Sequence, residues 1–206
     1  MVIDKKVNRW IVGITGASGA IYGVRLIEHL LQMQYQVHLV VTDAGWRVIK
    51  EELGIDALRR AVTLTELFGS ALEDGQLIYY PNGDIGAAIA SGSFQNAGMI
   101  IMPCSMGTLA SIAHGISNNL MARAADVALK EKRSLIIVPR ETPIHAIHLD
   151  NMANLARLGV HIVPAMPAFY FGPQSMDDMI SFMVGKVLDA AGIEHTLYRR
   201  WKEEEQ

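Results

Sequence analysis

The run Gly13-Ile14-Thr15-Gly16-Ala17-Ser18-Gly19-Ala20-Ile21-Tyr22-Gly23 carries the strongest chemical signal in this chain. It follows an apolar stretch, residues 10–14, and opens a helical pattern that runs to Met33. A strand that feeds a Gly- and Ser-rich turn into a helix N-terminus is suited to hold an anion. The first-turn N–H groups point outward along the axis, and the helix dipole adds partial positive charge. Glycines let the backbone approach the ligand, and Thr15 and Ser18 offer hydroxyls to phosphate oxygens. The chemistry implied is retention of a phosphate-bearing cofactor. The spacing G-x-x-G-x-x-G differs from the dinucleotide pattern G-x-G-x-x-G, and no Gly-Lys-Ser/Thr follows as in a P-loop. A tight turn without a ligand is the plain alternative at this stage.

Other residues suit related chemistry. Pro103-Cys104-Ser105-Met106-Gly107-Thr108 repeats the same logic: strand end, hydroxyl-bearing turn, helix. It suits a second part of the cofactor, or simple helix capping by Ser105 and Thr108. Cys104, at the end of a buried strand, reads as packing rather than as a nucleophile. Arg123 and Lys130 share one helix face, and Arg140-Glu141 ends a strand. Two cations and a carboxylate suit a phosphate leaving group that needs charge stabilisation and a proton; a solvated, ion-paired helix face is the alternative. His145 and His148 read H-x-x-H, but no Cys pair or third His supports a zinc site, so no metal is expected. No G-x-S-x-G elbow points to a serine hydrolase. The run 164–170, Pro-Ala-Met-Pro-Ala-Phe-Tyr, is a rigid apolar loop suited to wall a pocket.

The elements that must position these residues alternate regularly. Strands are expected at 9–14, 36–41, 98–102, 134–138 and 160–163. Helices are expected at 21–33, 44–53, 107–114, 119–132, 147–158 and 175–191. Apolar period and turn chemistry carry these assignments. Gly159 and Gly192 serve as helix stops, and Ser175 as an N-cap followed by Asp177 and Asp178. Residues 58–86 are mixed and turn-rich. Short, continuously apolar strands between helices imply a doubly wound, Rossmann-like α/β fold with one parallel sheet covered on both faces. In such sheets ligands bind beyond the carboxyl ends of the strands. Thr15-Gly16-Ala17-Ser18, Thr42-Asp43, Cys104-Ser105-Met106 and Arg140-Glu141 all fall there. Agreement among four strand ends outweighs any single motif.

Composition sets bounds. A chain of 206 residues suits one domain, here 1–193, with a tail at 194–206 around Trp201. Half of the residues are hydrophobic, yet no apolar run reaches the ~18 needed to span a bilayer. No segment has the layout of a signal peptide. The apolar excess therefore points to burial between subunits. A net charge of −3 makes no case for nucleic acid. The single Cys104 excludes an intrachain disulfide and fits a reducing, cytoplasmic setting.

Eight segments together resemble the UbiX-type flavin prenyltransferases, once described as aromatic acid decarboxylase subunits. They are TGASGAIYG (15–23), ASGSF (90–94), PCSMGTLA (103–110), NNLMARAADVALKE (118–131), LIIVPRETP (135–143), IHLDNM (147–152), PAMPAFY (164–170) and RRW (199–201). They span nearly the whole chain in order. The resemblance implies metal-independent transfer of a dimethylallyl group from its phosphate to N5 and C6 of reduced FMN. The prenylated FMN then serves a UbiD-type decarboxylase. It also implies a homo-oligomer, commonly a dodecamer, with sites between subunits, and no membrane partner.

Carried over position by position, the resemblance assigns FMN to Gly16, Ala17, Ser18, Thr42, Ser105, Met106, Gly107, Thr108 and Arg140. Arg123 matches a charged position of the motif. Lys130, Arg140, Glu141 and Tyr170 surround the prenyl phosphate. Ser18 and Glu52 match the acid–base residues near the flavin. Lys186 stands where relatives often carry an Arg that reaches a neighbouring subunit's phosphate; Lys keeps the charge and loses the planar fork. Trp201 aligns with a tail Trp that closes the site, and Ile85 lies near a position where some relatives have Trp. Two other readings compete: an FMN-dependent cysteine decarboxylase relative, and a flavin carrier without catalysis. The first lacks its asparagine-bearing motif, replaced here by PCSMGT, and His29 sits too far past the turn to serve as its His. The second leaves Lys130, Arg140, Glu141 and Tyr170 without a purpose. An NAD protein using Asp43 on a ribose is a weaker alternative.

Overall fold

Six parallel strands lie in the order β3-β2-β1-β4-β5-β6 in the computed structural model, which describes residues 8–55 and 59–201. The strands are β1 (Arg9–Ile14), β2 (Gln36–Val41), β3 (Leu77–Pro81), β4 (Gly98–Cys104), β5 (Ser134–Pro139) and β6 (His161–Ile162). The helices are α1 (Ala20–Gln32), α2 (Asp43–Leu53), α3 (Arg60–Phe68), α4 (Met106–Ala113), α5 (Leu120–Lys130), α6 (Ala146–Arg157) and α7 (Met176–Ala190). Strand order reverses between β1 and β4, so a crevice opens at their carboxyl ends. This is the doubly wound fold that the alternating pattern implies.

The core forms two layers, one on each face of the sheet. Alternate residues of β1 show why: Trp10, Val12 and Ile14 pack with α1 and α7, whereas Ile11 packs with α4 and α5 on the opposite face. Both faces are dry, so the strands read as unbroken apolar runs. Gly13 and Gly23 are small for packing reasons. A Cβ on Gly13 would strike the Met121 sulfur, and one on Gly23 would meet the Met102 carbonyl at 2.3 Å.

Several boundaries differ from the sequence reading. β4 continues through Pro103 to Cys104, because it is buried throughout and pairs with β5 to its end. β6 is only two residues long, although Val163 and Ala165 still donate backbone N–H bonds to Ile137 and Pro139 of β5. The mixed stretch after residue 58 resolves into α3 and an edge strand, β3. Ser175 caps α7 through a reciprocal capping box with Asp178. The expected 1–193 unit and 194–206 tail include residues 1–7, 56–58 and 202–206, which lie outside the described residues. No helix among the described residues is long and apolar enough to cross a membrane.

Candidate active site

The four polar strand ends do meet on one edge of the sheet, and backbone hydrogen bonds tie them together. Thr15 N–H donates to the Pro103 carbonyl, Thr42 N–H to Ile14, Arg140 N–H to Cys104 and Ala165 N–H to Pro139. Each bond links the exit of one strand to the exit of its neighbour. The turns after β1, β2, β4, β5 and β6 are thus held in register.

Thr15 is fully buried and does not face a ligand. Its hydroxyl donates to the Pro103 carbonyl at 2.9 Å and accepts from Ser105 N–H at 2.7 Å. The expectation that it binds phosphate is therefore corrected: it joins the two Gly- and Ser-rich turns. Thr42 and Ser105 are N-caps. Thr42 accepts from Gly45 N–H at 3.0 Å, and Ser105 accepts from Thr108 N–H and donates to the Thr108 hydroxyl.

The N-terminus of α1 is also arranged differently from the simple anion-site reading. The Glu52 carboxylate, reaching across from α2, accepts from Gly19 N–H and from Ala20 N–H, each at 2.9 Å. The chain's own carboxylate thereby answers the positive end of the helix. What stays open is the turn before it. The N–H groups of Gly16, Ala17 and Ser18 have no backbone partner among the described residues. Gly16 is required by close approach, because a Cβ there would lie 2.4 Å from that of Ala44. The first-turn N–H groups of Met106 and Gly107 are likewise open, and nothing lies within 4 Å of where a Cβ on Gly107 would stand. Unclaimed N–H groups on these two turns form a cradle of donors suited to an anionic or polar ligand.

Arg140 and Glu141 line a cavity of about 110 Å³ at the exits of β4, β5 and β6, together with Met106, Met152, Pro164 and Met166. Glu141 accepts from Thr142 N–H at 3.0 Å. Tyr22, which the sequence reading did not single out, lies within reach of the charges of both Glu52 and Arg140. Burial raises its hydroxyl pKa, the Arg140 charge lowers it and the Glu52 charge raises it further. Its only sequence signal is an aromatic residue in the first turn after the Gly-rich loop. Cys104 is fully buried, and burial pushes its thiol far above the ordinary range, which makes it inert packing. His145 and His148 stack on one another. Among the described residues no group of three or more His, Cys, Asp or Glu is placed to hold a metal. Asp43 is ion-paired with Arg60 at 2.5 Å.

Lys130 stands apart from this cradle in a single chain. Lys130 ends α5, four residues before β5 begins, and so lies at the amino-terminal end of the strands, paired with Glu131 at 3.6 Å. Arg140 lies beyond the other end, a strand length of roughly 20 Å away. Arg123, in the first turn of α5, pairs with Asp126. The sequence reading placed these charges together near a strand end; helix α5 runs antiparallel to the strands and separates them. Other expected site residues lie on or beside α7. Trp201 packs edge-to-face on Tyr170 with ring centroids 5.3 Å apart, and Lys186 pairs with Asp189 at 3.7 Å. Phe169, Tyr170, Trp201 and Ile85 are all exposed.

A parallel doubly wound sheet with open N–H groups at its switch point is suited to bind a nucleotide, and the Flavoprotein family model, which matches residues 3–188, makes the chain a flavoprotein. Within that class the chain belongs to the UbiX-type flavin prenyltransferases. The flavin prenyltransferase UbiX of Halalkalibacterium halodurans is 58% identical over 193 residues, covering 94% of this chain and 93% of that protein. Among solved structures, AnUbiX in complex with FMN and dimethylallyl pyrophosphate matches with a TM-score of 0.84 and 36% identity, over 95% of this chain and 97% of that one. A dodecameric FMN-dependent UbiX-like decarboxylase from Escherichia coli O157:H7 matches with a TM-score of 0.83 and 43% identity, over 94% and 98%.

Proposed function

We propose that this protein transfers the dimethylallyl group of dimethylallyl phosphate to N5 and C6 of reduced FMN, and that the prenylated FMN serves a UbiD-type decarboxylase. The observation that carries the reading is the flavin cradle at the β1–β4 switch point, with Arg140 and Glu141 at its edge. The open N–H groups of 16–18, the capped turns at Thr42 and 105–108, and Arg140 hold the nucleotide. When bound, FMN supplies the nucleophilic ring atoms. Ser18 and Glu52 sit at the same turn and move protons beside it.

The donor's carbon–oxygen bond breaks with carbocation character and leaves charge on the phosphate. Lys130, Arg140 and Lys186 stabilise that charge. Phe169, Tyr170 and Trp201 give an apolar, π-rich wall that excludes water and tolerates developing positive charge. Glu141 or the departing phosphate takes the C6 proton. Since one chain keeps Lys130 about a strand length from the cradle, the site is completed between copies of the chain. Exposed Ile147, Leu149 and Leu158 on and just after α6 supply apolar surface for such packing. The single inert Cys104 suits a reducing cytoplasm.

The test is anaerobic incubation of the protein with reduced FMN and dimethylallyl monophosphate, followed by the mass of the flavin. A gain of one C5 unit supports the reading; unmodified flavin with both the mono- and the diphosphate refutes it and favours a carrier. Shared sites have their own test. Lys130→Ala and Glu141→Gln variants, each inactive alone, should recover part of the activity when co-assembled. No recovery, with mixed oligomers verified by native mass, would place both groups in one subunit.

A further inference from the structure

One carboxylate collects the whole described tail. Asp189, near the end of α7, accepts from His195 Nε2 at 3.0 Å, from the Tyr198 hydroxyl at 2.5 Å and from Arg200 Nη2 at 2.8 Å. His195 is nearly fully buried, and its other ring nitrogen accepts from Leu197 N–H at 3.1 Å. Both ring nitrogens are therefore used, with the Nε2 proton directed at Asp189. The Tyr198 ring packs on Phe182 with centroids 4.9 Å apart, and the Arg200 guanidinium lies over the Tyr198 ring.

One helical turn earlier, a glycine makes room for this arrangement. A Cβ on Gly185 would lie 2.6 Å from Tyr198 Cδ1 and 2.7 Å from His195 Cε1. Glycine inside a helix costs roughly 0.5–1 kcal/mol against alanine, so its presence in the middle of α7 needs such a reason. Charge at Asp189 and space at Gly185 are separate features, and both seat the same segment. The described part of the tail reaches Trp201, whose ring meets Tyr170 at 84°.

We infer that Asp189 and Gly185 form a seat on α7 that docks the tail and thereby fixes Trp201 against Tyr170 where the prenyl chain of the donor binds. Asp189 is then a positioning residue for the donor and has no part in holding FMN. Its fourth partner, Lys186, is drawn to the same carboxylate, so the seat also sets the resting place of that cation. The inference rests on the assignment of Tyr170 and Trp201 to the donor site.

The experiment uses full-length protein loaded with oxidised FMN, which permits binding without turnover. Asp189→Asn removes the charge and keeps the shape. Gly185→Ala improves the helix and adds only the steric conflict. Three quantities are measured: hydrogen exchange in residues 194–201, FMN affinity, and affinity for dimethylallyl monophosphate by calorimetry. Both variants should exchange faster in the tail, bind FMN within twofold of the parent, and bind the donor about tenfold more weakly, as expected for losing an ordered aromatic contact. A loosened tail with unchanged donor affinity overturns the inference. Parallel loss of FMN and donor affinity also overturns it, since that marks general damage to the fold. Parent protein that binds the donor but never prenylates FMN refutes the proposed activity and leaves the seat standing; parent protein that binds no donor refutes both.

Discussion

Replacing Thr15 with Val removes one hydroxyl and almost no volume, at a position with no exposed surface. The hydroxyl makes two bonds at 2.7 and 2.9 Å, and the loss is unequal between them. The Pro103 carbonyl keeps Thr15 N–H as a donor at 3.2 Å. Ser105 N–H keeps none, and an unsatisfied donor in a half-buried site costs about 1–3 kcal/mol. With the second bond at about 1 kcal/mol, the total is about 2–4 kcal/mol. At this chain length a kilocalorie lowers the melting temperature by roughly 2–4 °C, so the drop should be about 4–16 °C. Ser105 is also the N-cap of α4, and its backbone leads into the open N–H groups of Met106 and Gly107. Freeing it lets the second turn drift from the first, and FMN affinity should fall about tenfold, equivalent to about 1.4 kcal/mol. Thr15→Ser retains the hydroxyl and should keep both properties near the parent's. The assays are a thermal melt of the apoprotein and fluorescence titration with FMN. A Val variant that melts within a degree of the parent would refute the energetic argument. One that melts early yet binds FMN normally would refute the claim that this residue aligns the cradle.

Two further substitutions test the electrostatics. His38 is buried beside Tyr80 and Phe94, and burial, aided by the Arg9 charge, lowers its pKa to about 4. The unfolded chain binds that proton near pH 6.5; stability is therefore complete above about 6.5 and falls as pH drops toward 4. Between pH 7 and 5 the loss is about 2 kcal/mol, measurable by urea unfolding, and a His38→Gln variant should lack this slope; an unchanged slope would show that other groups carry it. Glu52→Gln keeps one acceptor for the α1 N-terminus but removes its charge, so stability should drop by only about 0.3–1 kcal/mol while prenyl transfer falls at least tenfold. Full activity in that variant would remove Glu52 from the proton-handling role.

The sequence by itself determined the sheet and its binding edge. Apolar runs at 9–14, 36–41 and 134–138 needed burial on both faces, and the helical stretches between them could only cover a parallel sheet. Polar residues placed just after those runs then had to share one edge. Local pattern also gave the caps at Ser105 and Ser175, because a cap is decided within three or four residues. Tertiary structure decided what depends on distant partners. The Thr15 hydroxyl turned inward because Pro103, 88 residues away, offered a buried acceptor. Glu52 reached the α1 N-terminus across a separation of 33 residues. Lys130 and Arg140 are ten positions apart in the chain but fall at opposite ends of a strand. The convergence of His195, Tyr198 and Arg200 on Asp189 has no signature in spacing or type. Periodicity records which face of an element is buried, and it carries no information on which polar groups that burial brings within hydrogen-bonding reach.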